Sequence, residues 1–128
     1  MEELLKQALA VRENAYVPYS KFKVGAVVES ADGRVFSGCN VENISYGLTN
    51  CAERTAIFSA VAAGAKQLTT LLVVADSQRP VAPCGACRQV MAEFGIKTIH
   101  MASTSGAIKT VSMQEILPYA FSESDMEV

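Results

Sequence analysis

No basic patch or stripe runs through this chain. Its 11 Lys and Arg are scattered among 13 Asp and Glu, for a formal net charge of −2. Proteins that grip long phosphate backbones concentrate their cations, so DNA and RNA are disfavoured as substrates and small molecules are favoured. No apolar run approaches the ~20 residues a helix needs to cross a bilayer. The opening Met1-Glu2-Glu3-Leu4-Leu5-Lys6 is acidic and amphipathic, without the basic-then-apolar order of a secretory leader, so a cytoplasmic setting is expected. Repeats, low-complexity tracts and linkers are missing as well, and 128 residues suit one domain spanning 1–128. Histidine is almost absent. His100 is the single example, on a predicted strand between Ile99 and Met101, where a structural role is expected and not a metal ligand's.

Cysteine is present, and its placement carries the chemistry. Four cysteines could pair as two disulfides, but in a reducing compartment clustered thiols more often mean metal or catalysis. Cys84 and Cys87 form a C-x-x-C behind Pro83, the spacing at which two thiolates can grip one ion at a helix start. Cys51 opens the preceding predicted helix and can bring a third sulfur. Three sulfur ligands leave one tetrahedral position of a Zn²⁺ open, and an open position separates a catalytic zinc from a structural one. Glu53, two residues on, is placed as a non-ligating general acid and base. Alone it would read as a solvated acid favoured by the helix dipole; beside three thiolates it reads as a proton carrier.

Three thiolates give a Zn²⁺ site an excess of negative charge, which raises the pKa of its water unless something draws the charge off. The two helix N-termini do so at Cys51 and Cys84. Arg54, adjacent to the cluster, can add a hydrogen bond to a ligand sulfur; its bland alternative is a surface arginine. Cys39 lies on a predicted strand without paired spacing or a helix start, so a packed thiol is expected there.

In chain order, apolar spacing predicts a helix over residues 2–16, stopped by Pro18. Residues 21–29 and 34–39 read as antiparallel strands around the turn at Ala31-Asp32-Gly33-Arg34. Residues 40–50 are irregular and polar, as a substrate loop would be, with Thr49 or Asn50 able to cap the next helix. That helix runs to Gly64. Residues 68–75 read as a strand covered on both faces, residues 84–94 as a third helix closed by Gly95. Strands at 96–102 and 107–112 are joined too tightly for a crossover helix and must be antiparallel. A short helix follows at 113–117, and the acidic tail after Phe121 is expected to fray.

Several stretches together resemble the small, homotetrameric class of cytidine deaminases. They are Pro18-Tyr19-Ser20-Lys21-Phe22, Gly38-Cys39-Asn40-Val41-Glu42-Asn43, Cys51-Ala52-Glu53-Arg54-Thr55-Ala56 and Pro83-Cys84-Gly85-Ala86-Cys87-Arg88-Gln89-Val90, with Glu115-Ile116-Leu117-Pro118 and Phe121 near the end. Zinc nucleobase deaminases as a class combine a three-cysteine option, a Glu proton shuttle and P-C-x-x-C. The resemblance implies a three-layer α/β/α fold around a five-stranded mixed sheet. It implies one zinc per chain on Cys51, Cys84 and Cys87, with activated water attacking C4 of the base and Glu53 moving the protons. Cytidine and 2′-deoxycytidine would become the uridines plus ammonia, in pyrimidine salvage. Asn40 and Glu42 would hold the sugar 3′-hydroxyl, Phe22 would pack on the pyrimidine, and Ala52 would offer backbone groups to the base. Tyr46 and Phe121 would complete a neighbouring subunit's site. The apolar character of their loop and tail, and the alanines of the helix after Cys51, agree with burial against other chains.

Three rivals predict different things. The first is a related deaminase acting on a blasticidin-type nucleoside, guanine or a polynucleotide; the paired Asn40/Glu42 and the absence of a basic surface favour a free nucleoside. A structural zinc module would have four protein ligands and no role for Glu53. A redox C-x-x-C protein would need neither Cys51 nor zinc.

Overall fold

The hairpin of β1 (Val24–Ser30) and β2 (Val35–Cys39) forms around Gly33, whose φ of 89° suits the turn. Its antiparallel register runs from Gly25 opposite Cys39 to Glu29 opposite Val35. The other side of β1 pairs antiparallel with β3 (Leu68–Ala75). β4 (Thr98–Ser103) then lies parallel to β3, and β5 (Ile108–Ser112) antiparallel to β4. The computed structural model describes residues 1–126. Among them the sheet has five strands in the order β2-β1-β3-β4-β5, mixed as expected.

Helix α1 (Glu2–Arg12) covers one face, and α2 (Ala52–Ala62) and α3 (Gly85–Glu93) the other. Strand alternation divides the core accordingly. Val27, Leu72, Val74 and Ala102 meet Leu4 and Ala8 of α1, while Ala26, Val28, Leu71 and Val73 meet Ala56, Ile57, Ala60 and Met91. β3 is apolar nearly throughout because both of its faces are roofed, so it needs no polar alternation. Two glycines let the helices come this close. A Cβ on Gly25 would overlap the Ala8 carbonyl oxygen of α1, and one on Gly38 would overlap the Ala56 nitrogen of α2. Gly38 thereby sets the depth of the helix whose first turn carries Ala52, Glu53 and Arg54.

The structure departs from the expected boundaries where long-range backbone pairing overrides local pattern. α1 stops at Arg12, not 16, because Tyr16 is drawn into a bridge with Val41. The Tyr16 N–H donates to the Asn40 carbonyl at 3.0 Å, and Glu42 N–H donates to the Tyr16 carbonyl at 2.9 Å. β1 begins at Val24 and not at Lys21, since Lys21 is left-handed (φ 61°) and turns the chain before the ladder starts. Neither Thr49 nor Asn50 caps α2. Thr49 Oγ1 accepts from Asn43 N–H, Asn50 Nδ2 donates to Thr55 Oγ1, and Cys51 itself is the capping residue, without a side-chain bond to the helix. The short α4 (Met113–Ile116) is held by a capping box between Ser112 and Glu115. Where fraying was expected, Glu123–Met126 form a 3-10 turn; Glu127 and Val128 lie outside the described residues.

The close approach at Gly38 can be tested by thermal or denaturant unfolding. Gly38→Ala forces a methyl into the α2 backbone, and overpacking of this kind costs about 1–3 kcal/mol. Gly47→Ala, which adds a methyl in open space, should change stability by less than about 0.5 kcal/mol. Equal effects at the two positions would refute the tight contact between β2 and α2.

Candidate metal centre and substrate cleft

Cys51 and Cys84 are the residues immediately before α2 and α3, both in extended backbone (ψ 153° and 167°), and Cys87 lies one turn into α3. Because both helices lie on the same sheet face, their N-termini bring the three sulfurs together. Cys51 Sγ is 4.0 Å from Cys84 Sγ, Cys84 Sγ is 3.4 Å from Cys87 Sγ, and all three fall within 4.8 Å of one another. Tetrahedral Zn–S bonds of 2.3 Å place sulfurs about 3.8 Å apart, so the donor set and its spacing fit zinc. The remaining candidates lie elsewhere. Cys39 alternates to the α1 face of β2, opposite Gly25, and burial pushes its thiol pKa up. His100 points away from the layer holding Ile99 and Met101, with Nδ1 2.7 Å from Thr110 Oγ1, and burial pulls its pKa down.

The cluster is electrostatically asymmetric. Cys51 is drawn down to about 5 by its hydrogen bond with Cys87 and by Arg54, whose Nη2 donates to its sulfur at 3.2 Å. Cys87 is pushed upward by the same bond with Cys51 and by burial. The contact with Cys51 in turn holds the Arg54 guanidinium firmly protonated. Its Nε is buried with no hydrogen-bond partner among the described residues. Arg54 is therefore not a surface arginine. Its place is set by the sulfur it neutralises.

Glu53 is 5% exposed, in the first turn of α2 beside the cluster but outside its set of ligand atoms. Burial is the main reason its carboxyl is pushed up to about 7, reinforced by the charge of Cys51 and opposed by Arg54. A carboxyl so tuned exchanges protons readily near neutrality. Ala52, fully buried, precedes it.

The Tyr16–Val41 bridge carries Asn40 and Glu42 to the neighbouring rim. Asn40 Oδ1 accepts from Val24 N–H at 2.9 Å and Nδ2 donates to the Phe22 carbonyl at 2.8 Å. Its amide oxygen is thus engaged, leaving one Nδ2–H to offer. Glu42 Oε1 accepts from Tyr19 and Ser20 N–H at 3.0 and 3.1 Å, and Oε2 accepts from the Ser20 hydroxyl. These bonds, the Ser20 hydroxyl first, hold its carboxyl below the usual range. Both residues fix their own loop before they meet anything else, an engagement that residue type alone did not disclose.

A cleft of about 420 Å³ is lined by Tyr19, Ser20, Glu42, Tyr46 and Thr49. Tyr46 is 74% exposed and edge-on to Tyr19, with ring centroids 6.1 Å apart. Phe22 is partly exposed. Phe121 is 61% exposed, its carbonyl held by Gln89 Nε2 at 2.8 Å. Arg88 adds bonds to the Pro83 and Ile116 carbonyls at 2.9 and 2.8 Å, tying the loop before Cys84 to the C-terminal segment. Tyr19, Ser20, Arg88 and Gln89 lie within the sequence motifs, but the motifs alone assign them no role. Arg88 and Gln89 reach backbone carbonyls 28 and 32 residues away, and Tyr19 and Ser20 reach the Glu42 carboxylate, pairings that no spacing rule reveals. A larger hollow of about 740 Å³, under Ser77–Ala82, contains none of the site residues.

The cytidine and deoxycytidylate deaminase zinc-binding region, as a family model, matches residues 1–103. The chain is 51% identical over 125 residues to a cytidine deaminase of Halalkalibacterium halodurans, covering 96% of this chain and 95% of that protein. It is 48% identical to a cytidine deaminase of Sporosarcina psychrophila, covering 98% and 94%. The crystal structure of cytidine deaminase from Burkholderia pseudomallei superposes with a TM-score of 0.90 at 51% identity, over 94% of this chain and 98% of that one.

Metal analysis of the purified protein should give about one zinc per chain, since structural and catalytic sites alike bind one ion per ligand set. Cys39→Ala should leave that content unchanged, and Cys84→Ala should lower it severely. Loss of zinc in the Cys39 variant would contradict the three-sulfur assignment.

Proposed function

The chain belongs to the cytidine and deoxycytidylate deaminase zinc-binding family, and from that premise we propose that it hydrolyses cytidine and 2′-deoxycytidine to the uridines and ammonia. The observation that carries this reading is Glu53, buried in the first turn of α2 beside three converging thiols. Held by Cys51, Cys84 and Cys87, zinc supplies the Lewis acidity that makes water nucleophilic near neutral pH.

Glu53 takes a proton from the water that attacks C4 of the base and delivers it to the adjacent ring nitrogen. It then carries the second proton of that oxygen to the amine. The C4–N bond breaks, ammonia leaves, and C4 retains the carbonyl oxygen. Arg54 withdraws charge from the Cys51 sulfur, and the N-termini of α2 and α3 add their dipoles.

The remaining side chains divide the nucleoside between them. Asn40 offers its free Nδ2–H to the 3′-hydroxyl and Glu42 accepts from it, a division of roles that follows from the bonds each already makes. Phe22 packs on the pyrimidine, and the backbone at Ala52 meets the base. Recognition of a sugar hydroxyl, with no basic stripe for a phosphate backbone, favours a free nucleoside over nucleic acid. A homotetramer follows from the same reading. Tyr46 and Phe121 are strongly exposed on the single chain, which supports their completing a neighbour's site. The activity belongs to pyrimidine salvage in the cytoplasm; among the described residues no helix is long and apolar enough to cross a membrane.

Glu53→Gln keeps the shape of the site while abolishing proton exchange. It should retain zinc and bind cytidine, while kcat falls by about 10⁴-fold or more, the upper end for general acid–base catalysis. Activity within about tenfold of the parent, far short of that range, would rule out the role given to Glu53.

A further inference from the structure

Ser20 has no part in the chemistry above, yet three groups meet on it. Its hydroxyl donates to Glu42 Oε2 and accepts the Phe22 N–H at 3.0 Å. Its own N–H, with that of Tyr19, binds the other oxygen of the same carboxylate. Between Ser20 and Phe22 the chain passes through Lys21 at φ 61°, a conformation that non-glycine residues keep only when their surroundings impose it. Asn40 ties the far end of the segment through the Phe22 carbonyl and the Val24 N–H. The five residues from Ser20 to Val24 are therefore strapped at both ends to Asn40 and Glu42.

We propose that Ser20 is a positioning residue that locks the Glu42 carboxylate to the Phe22 backbone, so that the sugar and base halves of a nucleoside are recognised as one unit. The proposal rests on the nucleoside reading above. A hydroxyl that donates to an anion while accepting an N–H is polarised by both, so the two bonds strengthen each other. Without it Glu42 keeps two backbone donors on Oε1 and stays in the loop, but Oε2 is free to swing. The Phe22 N–H loses its acceptor and the Lys21 turn loses its restraint. The carboxylate and the ring then find their partners independently, and binding suffers more than chemistry.

The test compares cytidine with 3′-deoxycytidine on the zinc-loaded parent and on Ser20→Ala, Ser20→Thr and Glu42→Gln. Ser20 is exposed, so truncation leaves the core untouched; Ser20→Cys, nearly isosteric and a weaker donor, replaces it should the alanine variant fold poorly. In Ser20→Ala, kcat/KM for cytidine should fall about tenfold, chiefly through KM, and the preference for cytidine over 3′-deoxycytidine should shrink at least about threefold, the lower end of what one net hydrogen bond contributes. Zinc content should not change. Ser20→Thr, which keeps the hydroxyl, should stay close to the parent. Undiminished preference in Ser20→Ala, with a diminished one in Glu42→Gln, would overturn the coupling and leave the nucleoside reading standing. Undiminished preference in both would remove the sugar role of Glu42 and this proposal with it. A threonine variant as impaired as the alanine one would also overturn it.

Discussion

Three sulfurs, an arginine and a carboxyl are crowded into one corner, and the rest of the molecule is arranged so that they can stay there. Thiolates brought this close repel one another, and in a partly buried place water cannot screen them fully. The fold answers with fixed positive potential. Two helices start at the same point, their N-termini facing the cluster, and Arg54 bonds to the Cys51 sulfur at 3.2 Å. The helix starts coincide because α2 and α3 lie on one face of the same sheet. α2 can lie so close because Gly38 offers no side chain to hold it off. A glycine on β2 is in this sense part of the metal site.

The second arrangement is the neighbouring polar rim, joined to the residue before Cys51 by the Val41–Asn50 bridge. Its groups are held by backbone: the Tyr16–Val41 bridge, Asn40 spanning Phe22 and Val24, and Glu42 in the N–H groups of Tyr19 and Ser20. A rim so built is rigid before a ligand arrives, and preorganisation lowers the cost of binding. The exposed aromatics differ. Tyr46 leans on Tyr19 edge-to-face, while Phe121 is fixed by its carbonyl and leaves its ring in solvent.

Much of this was legible in the chain, for physical reasons that also explain what was not. Cys51, Cys84, Cys87 and Glu53 could be read because each is fixed by local spacing at a helix start. The apolar run 68–75 could be read because a strand roofed on both faces has no room for polar residues. The tight link between the last two strands allowed only an antiparallel pair. The missed features are long-range or depend on a single dihedral. Helical spacing continues through Ala15, yet the bridge to Val41, 25 residues later, wins Tyr16. Lys21 leaves the ladder because of its positive φ, which no pattern announces. Thr49 and Asn50 have the chemistry of capping residues, but Thr49 serves the loop before the helix and Asn50 bonds the Thr55 side chain, leaving Cys51 as the cap.

If Cys51, Cys84 and Cys87 hold a zinc on which Glu53 depends, chelation must stop the reaction. Purified protein is incubated with cytidine while loss of the cytosine absorbance is followed, before and after a strong chelator and again after zinc is returned. Turnover should disappear as zinc is removed, in proportion to the metal lost, and return with about one equivalent per chain. Undiminished deamination by metal-free protein would contradict that dependence.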